Sequence, residues 1–339
     1  MTSISPRTLR FVAENRIYIF LAVAFVLALI FIPDIRSVPA LRNVLARASI
    51  EGIMAVGVTI VILSGQLDLS LGSVLALSGV VALGLQGDIG PVPAAIVGIG
   101  AGGLVGVING VLVVRFGVNS FIVTLAAMIA IRGVAMTLSN AAPIRGADPF
   151  FGPSVDRALF GPLWEGLGSF LTPRILIFLG LLLVAHIFLL RVRQGRNIYA
   201  VGGNPEAARL SGIPTSTYVF GAFVFSGLCG GLAGTVLGLS LNTGSPVVGA
   251  DSILRVIAAV VIGGTALTGG SGSMLKTLMG VLLLALVNTA MNQARVEVYV
   301  QGIVLGAILI IVVLIDALYS AWRTRLVIAG QLGSTRAAE

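Results

Sequence analysis

Apolar residues fill this chain in long blocks of about 18 to 22 residues, separated by short segments rich in Gly, Pro, Ser and Arg. Each block is long enough to cross a hydrocarbon core ~30 Å thick as an α-helix. The pattern predicts ten spans: Ile17–Ile32, Ile50–Gln66, Gly72–Gln86, Val92–Val114, Phe121–Ser139, Ile175–Leu190, Tyr218–Leu241, Ser252–Ala266, Leu275–Met291 and Val300–Tyr319. The expected fold is an all-α polytopic membrane protein with some helices broken. Residues 17–320 form its transmembrane domain, 1–16 an N-terminal segment and 321–339 a tail. Even parity puts both ends on one side, and Arg7, Arg10, Arg16, Arg323, Arg325 and Arg336 make that side cytoplasmic.

The same orientation makes Arg115, Arg191, Arg193, Arg196, Arg209 and Lys276 cytoplasmic and leaves 140–173 as the longest external segment. Its Pro, Gly, Asp148, Asp156, Trp164 and Glu165 suit a structured cap. Arg36, Arg42 and Arg47 fall outside against the rule. They alternate with Leu41, Val44 and Leu45, which predicts an amphipathic segment on the outer interface. Ile17–Ile32 resembles a signal-peptide core, but the small-x-small triplet Ala46–Ala48 lies too far beyond it, so an uncleaved anchor is expected.

Composition agrees: 57% of residues are hydrophobic, 10% are charged, and mean hydropathy is +1.07. The 44 glycines suit closely packed and interrupted spans. In a soluble protein the net charge of +8 would suggest nucleic acid. Spread over loops and ends it is the positive-inside bias, and no nucleic-acid partner is expected. The one Cys, Cys229, and the one His, His186, lie in apolar stretches, which offers no disulfide framework and no metal site.

Two glycine patterns mimic nucleotide sites. Gly98, Gly100 and Gly103 fit G-x-G-x-x-G inside a span, where they predict helix packing. Gly269–Thr277 has Leu275 where a phosphate loop needs Gly before the Lys. No catalytic residues and no cofactor are therefore expected on this chain, and energy must come from a partner or an ion gradient.

A third segment, Ser64–Ser73, carries Asp68 between two spans. An ionised carboxylate at a helix centre costs roughly 2.5–3.5 kcal/mol on insertion scales, so Asp68 needs hydrogen-bond donors or water. Gly65 and Gly72 permit a break, with Ser70 as a cap and Asp68 accepting free N–H groups, so these four are read as a structural turn. Val61, Ile62, Leu67, Gly72, Ser73 and Leu75 recur two hundred positions later as Val261, Ile262, Leu267, Gly272, Ser273 and Leu275, the pattern of a parallel structural repeat. Gln66, Asn109, Thr124, Asn288 and Asn292 are neutral polar groups in apolar surroundings. They suit a path for a hydroxyl-rich solute, and equally interhelical hydrogen bonds. Asn288 and Asn292 share a helix face. Arg255 is expected to snorkel or to pair with Asp251.

The basic loop 191–217 contains Gly203, Asn204, Pro205, Glu206, Ala207, Ala208, Arg209 and, three residues on, Gly212. Asn204 can cap a short helix, Pro205 can start it, Glu206 suits its N-terminal dipole, and Gly212 with Pro214 ends it. E-A-A-x-x-x-G between spans resembles the coupling loop with which permeases of ATP-driven importers dock into an ATPase. The runs GVTIVILSGQLDLSLGSVLALSG, GVINGVLVVRFGVNSFIVTLAAMIAIRG, GRNIYAVGGNPEAARLSG and AAVVIGGTALTGGSGS extend the likeness over roughly Ala48–Ile315. The chain resembles the permease subunits of ribose/xylose-type bacterial ABC importers. Gln66 departs from the family's frequent G-G-x-D-L-S run, and the distal Ile-x-Leu-Pro part of the soluble-importer motif is absent, as in this sugar branch.

The resemblance implies a multi-pass permease in the bacterial inner membrane, surrounded by lipid. It implies a second permease copy or paralogue, a cytoplasmic ABC ATPase carrying ATP and Mg, and a periplasmic substrate-binding protein. A small hydroxylated solute, a monosaccharide first, would cross by alternating access. The rival readings are an amino-acid or nucleoside importer permease, and a secondary transporter using Asp68 or Glu51 as an ion site.

Overall fold

The computed structural model describes residues 16–147 and 172–308, together with 310 and 314. The expected cytoplasmic ends, the cap residues Asp148, Asp156, Trp164 and Glu165, and most of the final block beyond 308 lie outside the described residues. The described chain is helical from end to end. In order it runs α1 (Arg16–Phe31), a 3-10 turn (Pro33–Arg36), α2 (Val38–Leu63), α3 (Leu71–Ile89), α4 (Pro91–Phe116) and α5 (Ser120–Leu138). It continues with α6 (Pro173–Arg191), α7 (Arg193–Gly203), α8 (Pro205–Leu210), α9 (Thr215–Leu241), α10 (Ser252–Ile262), α11 (Met274–Gln293) and α12 (Val298–Ile308). Two-residue strands β1 (Ile144–Arg145) and β2 (Thr243–Gly244) pair antiparallel and tie the chain beyond α5 to the end of α9.

The first nine apolar blocks each coincide with a helix, as does the described part of the tenth up to Ile308. Seven of these helices, α2, α3, α4, α5, α6, α9 and α11, are long and apolar enough to cross a membrane, whereas α1, α10 and α12 are apolar but shorter. The eighth block stops at Ile262 rather than Ala266, because the backbone leaves helical geometry at Gly264, where φ is +92°. The outer amphipathic segment expected around Arg36, Arg42 and Arg47 is not a separate element. Ser37 caps α2 through a bond from the Ala40 N–H, Pro39 occupies its first turn, and Arg42 and Arg47 ride on the first turns of this 26-residue helix.

The centre of the bundle is α2. Its most apolar window is 83% buried, against 17% for α5 and 28% for α6, which present Ile129, Leu183 and Val184 outward. Around α2 pack α9, α11, α6 and α10, while α3 and α4 clasp α9 from the other side. The contact of α4 with α9 accounts for two of the three glycines of the false dinucleotide motif, Gly98 against Thr235 and Gly103 against Leu228, while Gly100 faces no neighbour. Gly98, Gly102, Gly106 and Gly110 recur every fourth residue on one face of α4, where a Cβ would strike Thr235, Gly227, Phe223 and Phe220 in turn. The order of those partners makes the two helices antiparallel, and the absent side chains let their backbones touch, as small-xxx-small faces do in membranes.

Candidate functional site

Two interruptions meet inside the bundle. The first, 64–70, separates α2 from α3. Asp68 is 2% exposed, and its two carboxylate oxygens collect three donors. Oδ1 accepts from the Ser70 N–H at 3.0 Å and the Ser70 hydroxyl at 2.6 Å, and Oδ2 accepts from the Ser226 hydroxyl of α9 at 2.9 Å. The Ser70 hydroxyl does not cap α3 as the sequence suggested; it serves Asp68 and also accepts from Asn109 Nδ2 of α4 at 2.9 Å. On the other flank, the Ser120 hydroxyl of α5 accepts from the Leu67 N–H, and the Thr124 hydroxyl donates to the Ser120 carbonyl. One carboxylate therefore holds a non-helical turn against α4 and α9, supplying acceptors that water cannot reach.

Asn109 and Thr124, expected as candidates for the path, are each 0% exposed and belong to this knot. Gln66 is half-buried and Gly65 exposed beside it. Gly72 lies in the first turn of α3, where a Cβ would strike the Gly249 carbonyl. Arg132 of α5 donates to that neighbouring loop, through Nη1 to the Pro246 and Val248 carbonyls, and through Nη2 to the Gly72 carbonyl.

The second interruption, 263–273, separates α10 from α11 and is built differently. It is held by backbone. The Gly270 N–H donates to the Leu63 carbonyl at the end of α2 at 3.0 Å. Gly270 has φ +69° and touches Gly203, so only a residue without a Cβ fits there. The two segments of the repeat inferred from the sequence each contain a break between helices, and the two breaks touch at Gly65 and Gly269; α10 packs against α11, whereas α2 and α3 diverge from their break. The two segments differ in register, since Gly72 is helical and Gly272 precedes α11.

The segment 191–217 closes on this junction. Within α7, a Cβ on Gly202 would collide with the Leu63 carbonyl, and the Tyr199 hydroxyl donates to the Gly272 carbonyl at 3.2 Å. Burial pushes the Tyr199 phenol above its ordinary range, so it stays protonated as a donor. Next comes α8. The Asn204 side chain accepts from the Ala207 N–H at 3.0 Å, Pro205 starts the helix, and Glu206 and Arg209 pair on its surface at 2.8 Å. The Ile213 N–H returns to the Ala208 carbonyl, with Gly212 at φ +79°, and this ends the helix. Ala208 is 4% exposed and anchors α8, while Leu210 is 79% exposed on its outer face. Every element of the locally inferred cap and stop is present.

At the opposite end of the bundle, Asn292 Nδ2 donates to Asn288 Oδ1 at 3.1 Å, and Gln301 Nε2 donates to Asn292 Oδ1 at 2.9 Å. Arg255 pairs with Glu51 of α2 at 3.2 Å rather than with Asp251, because α10 turns that face toward α2. Sequence reasoning missed Ser226, Gln301 and the Glu51–Arg255 pair. Each is a polar residue in an apolar helix, which was the available signal, but its partner lies far away in the chain.

Residues 40–313 match a family model described as the branched-chain amino acid transport system / permease component. The ribose import permease protein RbsC of Escherichia coli (strain K12) is 37% identical over 306 residues, covering 89% of this chain and 93% of that protein. The L-arabinose ABC transporter permease protein AraH of Azospirillum brasilense is 36% identical over 289 residues, covering 84% and 82%. The D-allose transport system permease protein AlsC of Escherichia coli (strain K12) is 33% identical over 282 residues, covering 83% and 84%. No solved structure matches. A family match across most of the bundle, with relatives aligned over nearly their full length, places this chain in the family of the branched-chain amino acid transport system / permease component.

Proposed function

We propose that this chain is the membrane-spanning permease subunit of an ATP-driven importer of a monosaccharide. The observation that carries the reading is the continuity of α8, α7 and the two interruptions: an exposed, capped six-residue helix joins a segment whose Gly202 sits on the Leu63 carbonyl. A push on α8 would reach the ends of α2 and α10 through backbone contacts that have little room to yield. Gly203 to Arg209 and Gly212 form the docking element for a cytoplasmic ATPase that binds ATP and Mg. A second permease copy or paralogue completes the path, and a periplasmic binding protein delivers the solute. Relatives named for ribose, L-arabinose and D-allose support a sugar over the amino acid of the family description.

Ten spans with both ends in the cytoplasm, in the bacterial inner membrane, are part of this proposal. Cysteine probes at Thr215 and Ser334 should be shielded from an impermeant thiol reagent in intact cells, whereas one at Ser154 reacts. Labelling of Thr215 from outside inverts the orientation. For the docking element, Glu206→Trp should leave insertion intact and abolish co-purification of the ATPase or the coupling of hydrolysis to uptake. Uptake of labelled ribose, arabinose or allose at the normal rate per ATP in that variant would defeat the assignment.

A further inference from the structure

Two open-sided cavities of about 520 Å³ each lie at the end of the bundle opposite α8. The first is bordered by Asp251, Asn288 and Gln301, the second by Asn43, Glu51 and Gln293, and Arg47, Arg255 and Asn292 line both. They are therefore two lobes of one space. Each lobe falls within the ~300–1,000 Å³ typical of small-molecule sites.

The chemistry of the walls is specific. The Glu51 and Arg255 side chains, 12% and 29% exposed, meet where the lobes join, and Arg255 Nη2 also receives support from the Ser252 hydroxyl at 3.1 Å. Asn288, Asn292 and Gln301 form a carboxamide series across α11 and α12, and the buried Oε1 of Gln293 has no hydrogen-bond partner. Carboxylate, guanidinium and carboxamide groups each offer two atoms spaced for a pair of adjacent hydroxyls. The linings carry three guanidiniums, Arg47, Arg174 and Arg255, and two carboxylates, Glu51 and Asp251, so hydrogen-bond donors and acceptors both face the space.

We propose that this two-lobed space is a recognition site for vicinal hydroxyls within the permease itself. Glu51, Arg255 and Asn292 are its specificity-determining residues, and its ligand is a small neutral polyol. The inference rests on the sugar-importer reading and adds a selective step beyond the binding protein.

The test is uptake by the importer reconstituted with its ATPase and binding protein, comparing each labelled sugar with its mono-deoxy analogues. Asn292→Ala should narrow the discrimination against one deoxy position by about fivefold while leaving that against the others unchanged. Arg255→Lys should narrow it at another position. Equal slowing of all analogues would mean that these residues only support the fold, and would overturn the proposal. Unchanged discrimination would do the same. Asn292→Ser, a smaller polar change at an exposed side chain, provides the same comparison should the alanine variant not assemble. Uptake of leucine, isoleucine or valine with no uptake of any sugar by the unaltered protein would remove the sugar-importer reading, and the site with it.

Discussion

The two interruptions occupy corresponding places in the two segments of the inferred repeat, yet one is held by a side-chain carboxylate and the other mainly by backbone. At 64–70, Asp68 gathers donors from its own turn and from α9, and Ser70 carries the network on to α4. At 263–273 the contacts are Gly270 on Leu63, Gly203 and Tyr199. The difference divides the labour. A turn stitched by a buried carboxylate to two neighbouring helices is a fixed point. A turn of glycines against the Gly202–Gly203 end of α7 moves as that segment moves, because backbone packed on backbone transmits displacement without intervening rotamers. The first interruption anchors α3, α4 and α9, and the second is where the proposed input from α8 arrives.

The comparison fails most visibly at Gly202. Gly202→Ala drives a methyl into the Leu63 carbonyl, an overpacking that should cost ~3 kcal/mol and lower the thermal midpoint of the purified permease. Gly203→Ala is the control for packing: the nearest atom to its Cβ is Gly270 Cα at 3.8 Å, and the variant should keep the thermal midpoint of the unaltered protein. Equal effects of the two would show that the backbone junction is not as close as described.

Asp68 comes next. Asp68→Ala strands the Ser70 and Ser226 donors and should cost ~2–3 kcal/mol in a detergent unfolding assay. Asp68→Asn keeps an acceptor for Ser70 and can donate to Ser226, so it should cost ~1 kcal/mol and retain appreciable transport. Complete loss of transport in a well-assembled Asp68→Asn variant would turn the anchor into an ion site. Asn204→Ala removes the cap of α8 and should cost ~1 kcal/mol, detected as faster hydrogen exchange confined to 205–210. The smallest effect is at the Thr59–Thr277 contact between α2 and α11, 3.0 Å between hydroxyls, where Thr277→Val should cost ~0.6 kcal/mol.

What could be read from the chain was what is local. Among the described residues the apolar blocks fall on helices, seven of them long enough to cross a membrane, because span length and hydropathy are properties of contiguous residues. The cap, start and stop of α8 lie within ten residues of one another and were legible for the same reason. The asymmetry of the interruptions was not legible. Asp68 meets Ser226 across 158 positions and Glu51 meets Arg255 across 204, and no periodicity selects such partners. Asn109 and Thr124 suited a path and structural hydrogen bonds equally when read from the sequence; Asn109 donates to the Ser70 hydroxyl, and Thr124 to the Ser120 carbonyl of its own helix. The outer arginines misled in another way: alternation over a few residues suggested a surface segment, while the cap at Ser37 runs one helix straight through them.

The central claim is that hydrolysis on a partner ATPase, delivered through α8, drives the path. The direct measurement is sugar uptake into proteoliposomes containing the permease, its ATPase and ATP, with binding protein supplied and all ion gradients collapsed by ionophores. The account predicts that uptake continues at the rate seen with gradients intact and stops when ATP is withheld. Loss of uptake under ionophores while ATP hydrolysis proceeds would contradict it and favour an ion-coupled transporter.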